Sequence, residues 1–317
     1  MAILSIGAAL DKAWARNQKT IPLNRATRLV IFSDLHRGTG DWADDFSHNS
    51  RIFACALDYY LRNKFTYIEL GDGDELLENR RLADIVLTHG DIFRRLQRFW
   101  AQGRMVYLVG NHNQQMANPG WRAKALAEAR VHIPGLFQGL EVHRTARLGE
   151  RIFLFHGHQG DFLSSPGLEP LGRFLVRYLW RFLQATFGLK DPTSAAQNIR
   201  KRSRLETAFI NWAKGRGRVA VSGHTHRPMF LSISKQQKLG GEPETPFYFN
   251  PGSGVHFRCI TCLEVKSLSI GLVKWQILAD GLDRNRLRIV RRVVPGCRKR
   301  LPEIMAKLDE KVKAELH

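Results

Sequence analysis

Five short clusters in this chain gather side chains able to hold divalent cations: Asp34-Leu35-His36, Gly71-Asp72, Gly110-Asn111-His112, His156 in Phe155-His156-Gly157-His158, and His224-Thr225-His226. Carboxylate and amide oxygens and imidazole nitrogens are the donors that hard and borderline ions take. In Asp-x-His and His-x-His, a two-residue step past a strand end can point both side chains the same way, so that they share one ion. Gly71, Gly110 and Gly223 stand directly before Asp72, Asn111 and His224, where they let the backbone turn sharply and come close to an ion. One cluster alone is a weak signal, because a buried histidine after a strand is more often hydrogen-bonded structure than a ligand. Five in succession exceed what packing requires, since polar groups at strand ends gain little unless something binds them.

The elements that must position these residues are legible in front of each cluster. Short apolar runs occupy 29–32, 65–70, 104–109, 151–155 and 218–222, each stopping at glycine or at Asp, His or Asn. Helical periodicity fills 47–62 and 80–102 between the first three. Strand, then ligand, repeated with helices between, predicts an α/β sheet whose site lies beyond the carboxyl ends of its strands. Between 161 and 217 the pattern becomes helical and rich in arginine and aromatic residues, which reads as a helical insertion. Segments 247–249, 255–265, 269–278 and 287–294 read as antiparallel strands, and a basic helix from Leu301 closes the chain. The first ten residues predict a short amphipathic helix. The resulting division is an N-terminal helical extension (1–27), a catalytic domain (28–295) carrying the insertion (161–217), and a basic C-terminal helix (296–317).

Bulk composition narrows the classes. The 317 residues, 44% of them apolar, suit one α/β domain with an insertion and exclude a disordered chain. The 49 Lys and Arg against 29 Asp and Glu leave a net charge of +20, which attracts polyanions: nucleic acid, anionic membranes or phosphorylated substrates. Cys55, Cys259, Cys262 and Cys297 are few and no secretory pattern precedes them, so reduced thiols and a cytoplasmic location are expected. Cys259-x-x-Cys262 lies in a β-like run without a second pair and reads as strand packing rather than a zinc or redox site. No apolar stretch reaches the length of a membrane span, although the protein could lie on an inner-membrane surface.

The order DxH, GD, GNH, HGH and GHTH, from about Arg28 to Trp275, resembles the calcineurin-like metallophosphoesterases. The resemblance implies a β-sandwich of two mixed sheets flanked by helices, with a dinuclear site at one edge. It implies two divalent ions, manganese first, with iron, zinc or magnesium as alternatives. Asp34, His36 and His226 would hold one ion, Asp72 would bridge both, and Asn111, His156 and His224 would complete the second. His112 would face the substrate instead, stabilising phosphoryl charge or protonating the leaving oxygen. The activity implied is hydrolysis of a phosphodiester or pyrophosphate.

Two positions depart from that pattern. Asn113 stands where a carboxylate usually follows GNH, which predicts a His112 pKa lower than is usual in the family, with the Asn113 amide orienting the ring near substrate. In Gly71-Asp72-Gly73-Asp74-Glu75, Glu75 is expected to support a ligand and Asp74 to be solvated or bonded to backbone. Arg37 either reaches a substrate phosphate or is a solvated loop residue. His156 is preferred to His158 as the ligand, Asp161 is expected to stabilise its loop, and Asn250-Pro251-Gly252-Ser253 resembles a turn that shapes the loop beside the site. His48, His89, His132, His143 and His256 have no motif partner and read as structural. In the insertion, Arg173, Arg177 and Arg181 fall four apart beside Phe174, Leu175, Leu179 and Phe182. Such a basic amphipathic helix suits an anionic lipid interface or an acyl-bearing substrate, with Arg173 and Arg177 as candidate contacts. The alternative is a core helix with snorkelling arginines. An insertion at this point is similar to the acyl-receiving cap of the UDP-2,3-diacylglucosamine diphosphatases. That likeness points to a nucleotide- or lipid-linked substrate. A nuclease or phosphoprotein phosphatase, and more remotely a non-catalytic scaffold, remain alternative readings.

Overall fold

The computed structural model describes residues 6–17, 19–41, 44–158, 199–230, 246–279 and 286–314. Within them the elements run α1 (Ile6–Ala15), β1 (Thr20–Ile21), β2 (Arg28–Phe32), α2 (Ser50–Arg62), β3 (Thr66–Leu70), α3 (Leu82–Thr88), α4 (Gly90–Ala101) and β4 (Met105–Leu108). They continue with α5 (Pro119–Ala129), β5 (Val142–His143), β6 (Thr145–Leu148), β7 (Ile152–Phe155), α6 (Ile199–Gly215), β8 (Val219–Ser222) and β9 (Tyr248–Phe249). The last are β10 (Cys259–Lys266), β11 (Ser269–Ala279), β12 (Leu287–Arg300) and α7 (Leu301–Ala314).

The strands form two mixed sheets flanked by helices. One has the order β12-β11-β10-β2-β3-β4-β5, the other β1-β6-β7-β8-β9. In the first, β2, β3 and β4 are parallel and β10 adds to β2 antiparallel. In the second, β7, β8 and β9 are parallel. Alternation along β2 explains why its apolar run is nearly continuous: Val30 and Phe32 enter a core shared with α2 and α4, while Leu29 and Ile31 enter the core between the sheets. Because β2, β3, β4, β7 and β8 all lead into the clustered polar residues, the loops after their carboxyl ends meet at one edge of the sandwich.

Several elements differ from the sequence expectation. The 80–102 stretch is two helices, because the chain turns at His89, whose Nε2 pairs with Asp44 at 2.7 Å. Strand β9 is parallel to β8, not antiparallel; a long connection separates them, so no hairpin dictates direction. Strand β10 begins at Cys259 rather than 255, and β12 runs on to Arg300, past 294. Helix α5 and strand β6 carry no clear periodicity in the sequence; α5 begins on an Asn118 cap accepting from Trp121 N at 3.0 Å, with Pro119 next. The N-terminal segment is built into the second layer: β1 pairs with β6, Leu10 enters the core, and Trp14 lies edge-on to Phe153. Helix α6, the end of the 161–217 stretch, buries Leu205, Phe209, Trp212 and Ala213 in the same core. Residues 159–198, and with them Asp161 and the Arg173 and Arg177 contacts, lie outside the described residues.

Candidate metal centre

The five loops converge as the strand order demands. Past the strand ends, backbone bonds continue the register: Asp34 N donates to Gly71 O (3.1 Å), His36 N to Asp72 O (2.9 Å), and Gly223 N to His156 O (2.9 Å). Asp34, His36, Asp72, His224 and His226 all have φ between +51° and +68°, and they are half of the non-glycine residues in the left-handed region among those described. Each such residue costs on the order of 1–3 kcal/mol, strain that persists where the surroundings fix it and that concentrates at functional sites. Gly71, at φ +93°, makes the sharp backbone turn expected of it, whereas Gly110 and Gly223 are needed for close approach. A Cβ on Gly110 would strike the Asp72 carboxylate, and one on Gly223 would strike Ser33 Oγ and the Asp34 carboxylate. At these two positions the ligand carboxylates fill the space that a Cβ would need.

Three overlapping groups place their donor atoms within 4.8 Å of one another: Asp34, His36 and His226; Asp72, His156 and His224; and His36, Asp72 and His112. His36 Nε2 and His226 Nε2 face each other at 3.1 Å, and His226 Nε2 is 3.3 Å from Asp34 Oδ1. His156 Nε2 lies 2.9 Å from Asp72 Oδ2 and 3.2 Å from Asn111 Oδ1. All seven expected ligands are thus brought together. The outer ring nitrogens are engaged elsewhere: His36 Nδ1 contacts Glu75 Oε2 at 2.8 Å and His156 Nδ1 donates to Leu70 O at 3.0 Å. That fixes tautomers in which Nε2 turns its lone pair inward once a cation replaces the proton.

The electrostatics fit the same exchange. Burial alone would raise the Asp34 pKa, but the His226 and His156 charges hold it at about 2. Asp72, equally buried, is held well below the ordinary carboxylate range by His156 and His112. Against burial, which lowers them, His156 is lifted to about 8 by Asp72 and Asp34, and His36 is raised by Glu75 and Asp72. His226 is lowered, chiefly by burial. Imidazole protons therefore balance the buried carboxylates, and a divalent cation would do so with the same donors. The residues present fit a pair of divalent ions.

Glu75 corrects the reading of the Asn113 departure. Its carboxylate takes His112 Nδ1 at 2.9 Å through Oε1 and 2.7 Å through Oε2, as well as His36 Nδ1. Burial lowers the His112 pKa, but Glu75 and Asp72 outweigh it and raise it from 6.5 to about 10. Asn113 does not contact His112: it is fully buried, its Oδ1 accepts from Gly110 N (2.8 Å) and its Nδ2 donates to Tyr107 OH (3.0 Å). It is therefore not placed for substrate. Arg37 is neither solvated nor open to a phosphate. Its side chain is 0% exposed, with Nη2 on Glu69 Oε2 and Nε on Asp74 Oδ1, both at 2.8 Å. Asp74 is likewise in that buried ion pair, not solvated. No motif spacing marks Tyr107, which reads as an ordinary strand residue; Glu75 is legible only as the last acid of its cluster.

On the second sheet's side, Asn250 Nδ2 donates to Gly223 O (2.9 Å) and to Thr225 Oγ1 (3.1 Å), so the Asn250-Pro251-Gly252-Ser253 turn clamps the His224–His226 loop. Glu206 of α6 accepts from Thr225 Oγ1 at 3.1 Å and pairs with Arg227 at 3.1 Å, fastening that loop to the helix. His158 is buried beside His156, ring centroids 5.6 Å apart; burial and the neighbouring His156 and His224 charges push its pKa to about 3. Cys259 and Cys262 are free thiols on β10.

Fold and site together define an α/β protein of two mixed sheets with a candidate dinuclear metal centre at the sheets' common edge. No protein-family profile matches the chain, and no curated protein matches it in sequence. Among solved structures it is similar to Vacuolar Protein Sorting 29 from Cryptosporidium parvum, with 12% identity, a TM-score of 0.34, and coverage of 86% of this chain and 99% of that one. No helix among the described residues is long and apolar enough to cross a membrane.

Proposed function

We propose that this chain is a metal-dependent phosphoesterase of the calcineurin-like kind, cleaving a phosphodiester or pyrophosphate. The observation that carries the reading is the convergence of seven donors from five strand-end loops, with His36 Nε2 and His226 Nε2 3.1 Å apart and buried carboxylates between the loops. Asp34, His36 and His226 would hold one ion, Asn111, His156 and His224 the other, and Asp72, whose neighbours reach both groups, would bridge them. When bound, two divalent ions supply Lewis acidity toward phosphoryl oxygens and acidify a water for in-line attack. The protein's own part is orientation and proton delivery. Asp34 accepts from His224 N at 3.1 and 2.9 Å, locking the first and last ligand loops together. Asp72 Oδ1 accepts from His112 N at 2.8 Å, fixing His112 beside the reaction centre. With Nδ1 committed to Glu75, the Nε2–H of a protonated His112 is the group left to meet phosphoryl charge or the leaving oxygen.

The substrate class we favour is nucleotide- or lipid-linked, on the strength of the Arg173–Arg177–Arg181 face and its adjacent apolar residues in the sequence. The net charge of +20 supports the second reading, a nuclease or phosphoprotein phosphatase on the same chemistry. A hydrolysis panel with Mn2+ separates them: bis-p-nitrophenyl phosphate, UDP-diacylglucosamine, single-stranded nucleic acid and a phosphopeptide. Protein with two ions bound and no turnover of any member would refute the enzymatic reading. Charge reversal at Arg173 and Arg177 should raise KM for the acyl-bearing substrate while sparing bis-p-nitrophenyl phosphate; equal effects on both would remove the lipid assignment.

A further inference from the structure

Beneath the centre, and outside the ligand set, lies a buried polar chain running Asn113–Tyr107–Asp74–Arg37–Glu69, every member at most 2% exposed. Arg37 directly follows His36, Asp74 stands two residues after Asp72, and Asn113 stands two residues after Asn111, so the chain links the three ligand loops of the first sheet. The links are Arg37 Nε to Asp74 Oδ1 (2.8 Å), Tyr107 OH to Asp74 Oδ2 (3.0 Å), Asn113 Nδ2 to Tyr107 OH (3.0 Å) and Gly110 N to Asn113 Oδ1 (2.8 Å). Backbone bonds from Arg37 N to Gly73 O (3.0 Å) and from Glu75 N to Arg37 O (2.9 Å) hold the first two loops in step.

Donor and acceptor counting gives this chain a direction. A phenol has one proton. Tyr107 gives it to Asp74, so whatever approaches from position 113 must donate. Gly110 N–H requires an acceptor at the same residue, and an amide is the side chain that offers both. An aspartate at 113 would set an acceptor against the Tyr107 oxygen and add a charge beside Asp74 and Glu69, with Arg37 the one cation among these groups. Buried polar groups left unmatched are costly, and removing groups that orient metal ligands typically costs tenfold to a hundredfold in metal affinity.

We propose that Asn113, Tyr107, Asp74 and Arg37 are positioning residues that set the relative register of the Asp34–His36, Asp72 and Asn111 loops, and that the amide at 113 is required by the direction of their hydrogen bonds. This rests on the metal-site reading, and the direction makes it testable by a swap. When Asp74→Asn is combined with Asn113→Asp, the new amide at position 74 still accepts from Arg37 through its oxygen and donates through its nitrogen to Tyr107 OH. The phenol then donates to the new carboxylate at position 113, which also accepts from Gly110 N. Net charge is unchanged.

The experiment measures Mn2+ stoichiometry and affinity by calorimetry, and amide hydrogen exchange at Gly110 and His112 in metal-free protein, for wild type, Asp74→Asn, Asn113→Asp and the double variant. Each single variant should weaken Mn2+ binding roughly tenfold to a hundredfold and lose amide protection. The swap should recover affinity to within about threefold and restore protection. Singles that bind both ions as wild type does, or a swap no better than the worse single, overturn the inference. Wild type that binds no Mn2+ overturns the metal-site reading instead; the exchange data then decide the positioning inference alone, which stands if protection is lost in the singles and regained in the swap and falls otherwise.

Discussion

Replacing Glu75 by glutamine tests the electrostatic reasoning most directly. One carboxylate accepts from His36 Nδ1 at 2.8 Å and from His112 Nδ1 at 2.9 Å, with 8% of the Glu75 side chain exposed. A hydrogen bond to a charged group contributes about 1.5–3 kcal/mol and a neutral one about 0.5–1.5 kcal/mol. Neutralising the shared acceptor of two bonds should therefore destabilise metal-free protein by about 2–3 kcal/mol. Glutamine also turns an N–H toward one imidazole and forces that ring to change tautomer. The pH dependence follows from the sign of the shifts. His112 is raised from its ordinary 6.5 to about 10, so its contribution is fully present below 6.5 and is lost as pH rises through about 10. Glu75 is depressed from 4.5 to about 2 by His112 and His36 against the upward pull of burial, so its contribution is present above 4.5 and lost as pH falls through about 2. Urea unfolding in EDTA should show the Glu75→Gln deficit in full near pH ~6 and a shrinking deficit from there to pH ~10.5. A deficit below about 0.5 kcal/mol, or one constant across that range, refutes the assignment of Glu75 as the charge partner of both rings.

Asp72→Ala should lose both ions, measured as metal content after dialysis; retention of two ions would remove Asp72 as the bridge. Because imidazole protons balance the carboxylates, Mn2+ binding near pH ~7 should release protons, read as a dependence of calorimetric heat on buffer ionisation enthalpy. Identical heats in phosphate-free buffers of different enthalpy would contradict that exchange. Gly110→Ala, whose Cβ meets the Asp72 carboxylate, should lower stability by about 1–3 kcal/mol and weaken metal binding more than about tenfold, whereas Gly103→Ala, whose Cβ would meet nothing within 4 Å, should leave metal binding unchanged. Mn2+ at about 100 times its dissociation constant should stabilise wild type by about 2.7 kcal/mol for each site filled, about 5 kcal/mol for two, visible as a rise in Tm that EDTA reverses.

The ligand clusters are legible in the sequence because they are local: Asp34 and His36, or His224 and His226, are separated by one residue, and each sits behind an apolar run whose period is visible in a short window. The same locality exposes β2, β3, β4, β7 and β8. The direction of β9 is not legible, because two residues, Tyr248 and Phe249, carry no record of the partner they meet. Helix α6 reads as part of an insertion because basic residues crowd its first turns, although Leu205, Phe209 and Trp212 lie in the core.

By itself the sequence determined which donors are present and that strand ends deliver them. Tertiary structure decided what each neighbour of a donor does. Arg37 and Asn113 look like substrate contacts because they follow ligands in sequence, yet a residue in a loop beyond a strand end can face either way. Here both turn inward, where Glu69, Asp74 and Tyr107 meet them. Glu75 became the partner of His112 because two loops, 37 residues apart in the chain, are brought within 2.9 Å by the parallel register of β3 and β4. Hydrogen-bond direction and burial are properties of pairs, and pairing across strands exists only once the sheet has formed.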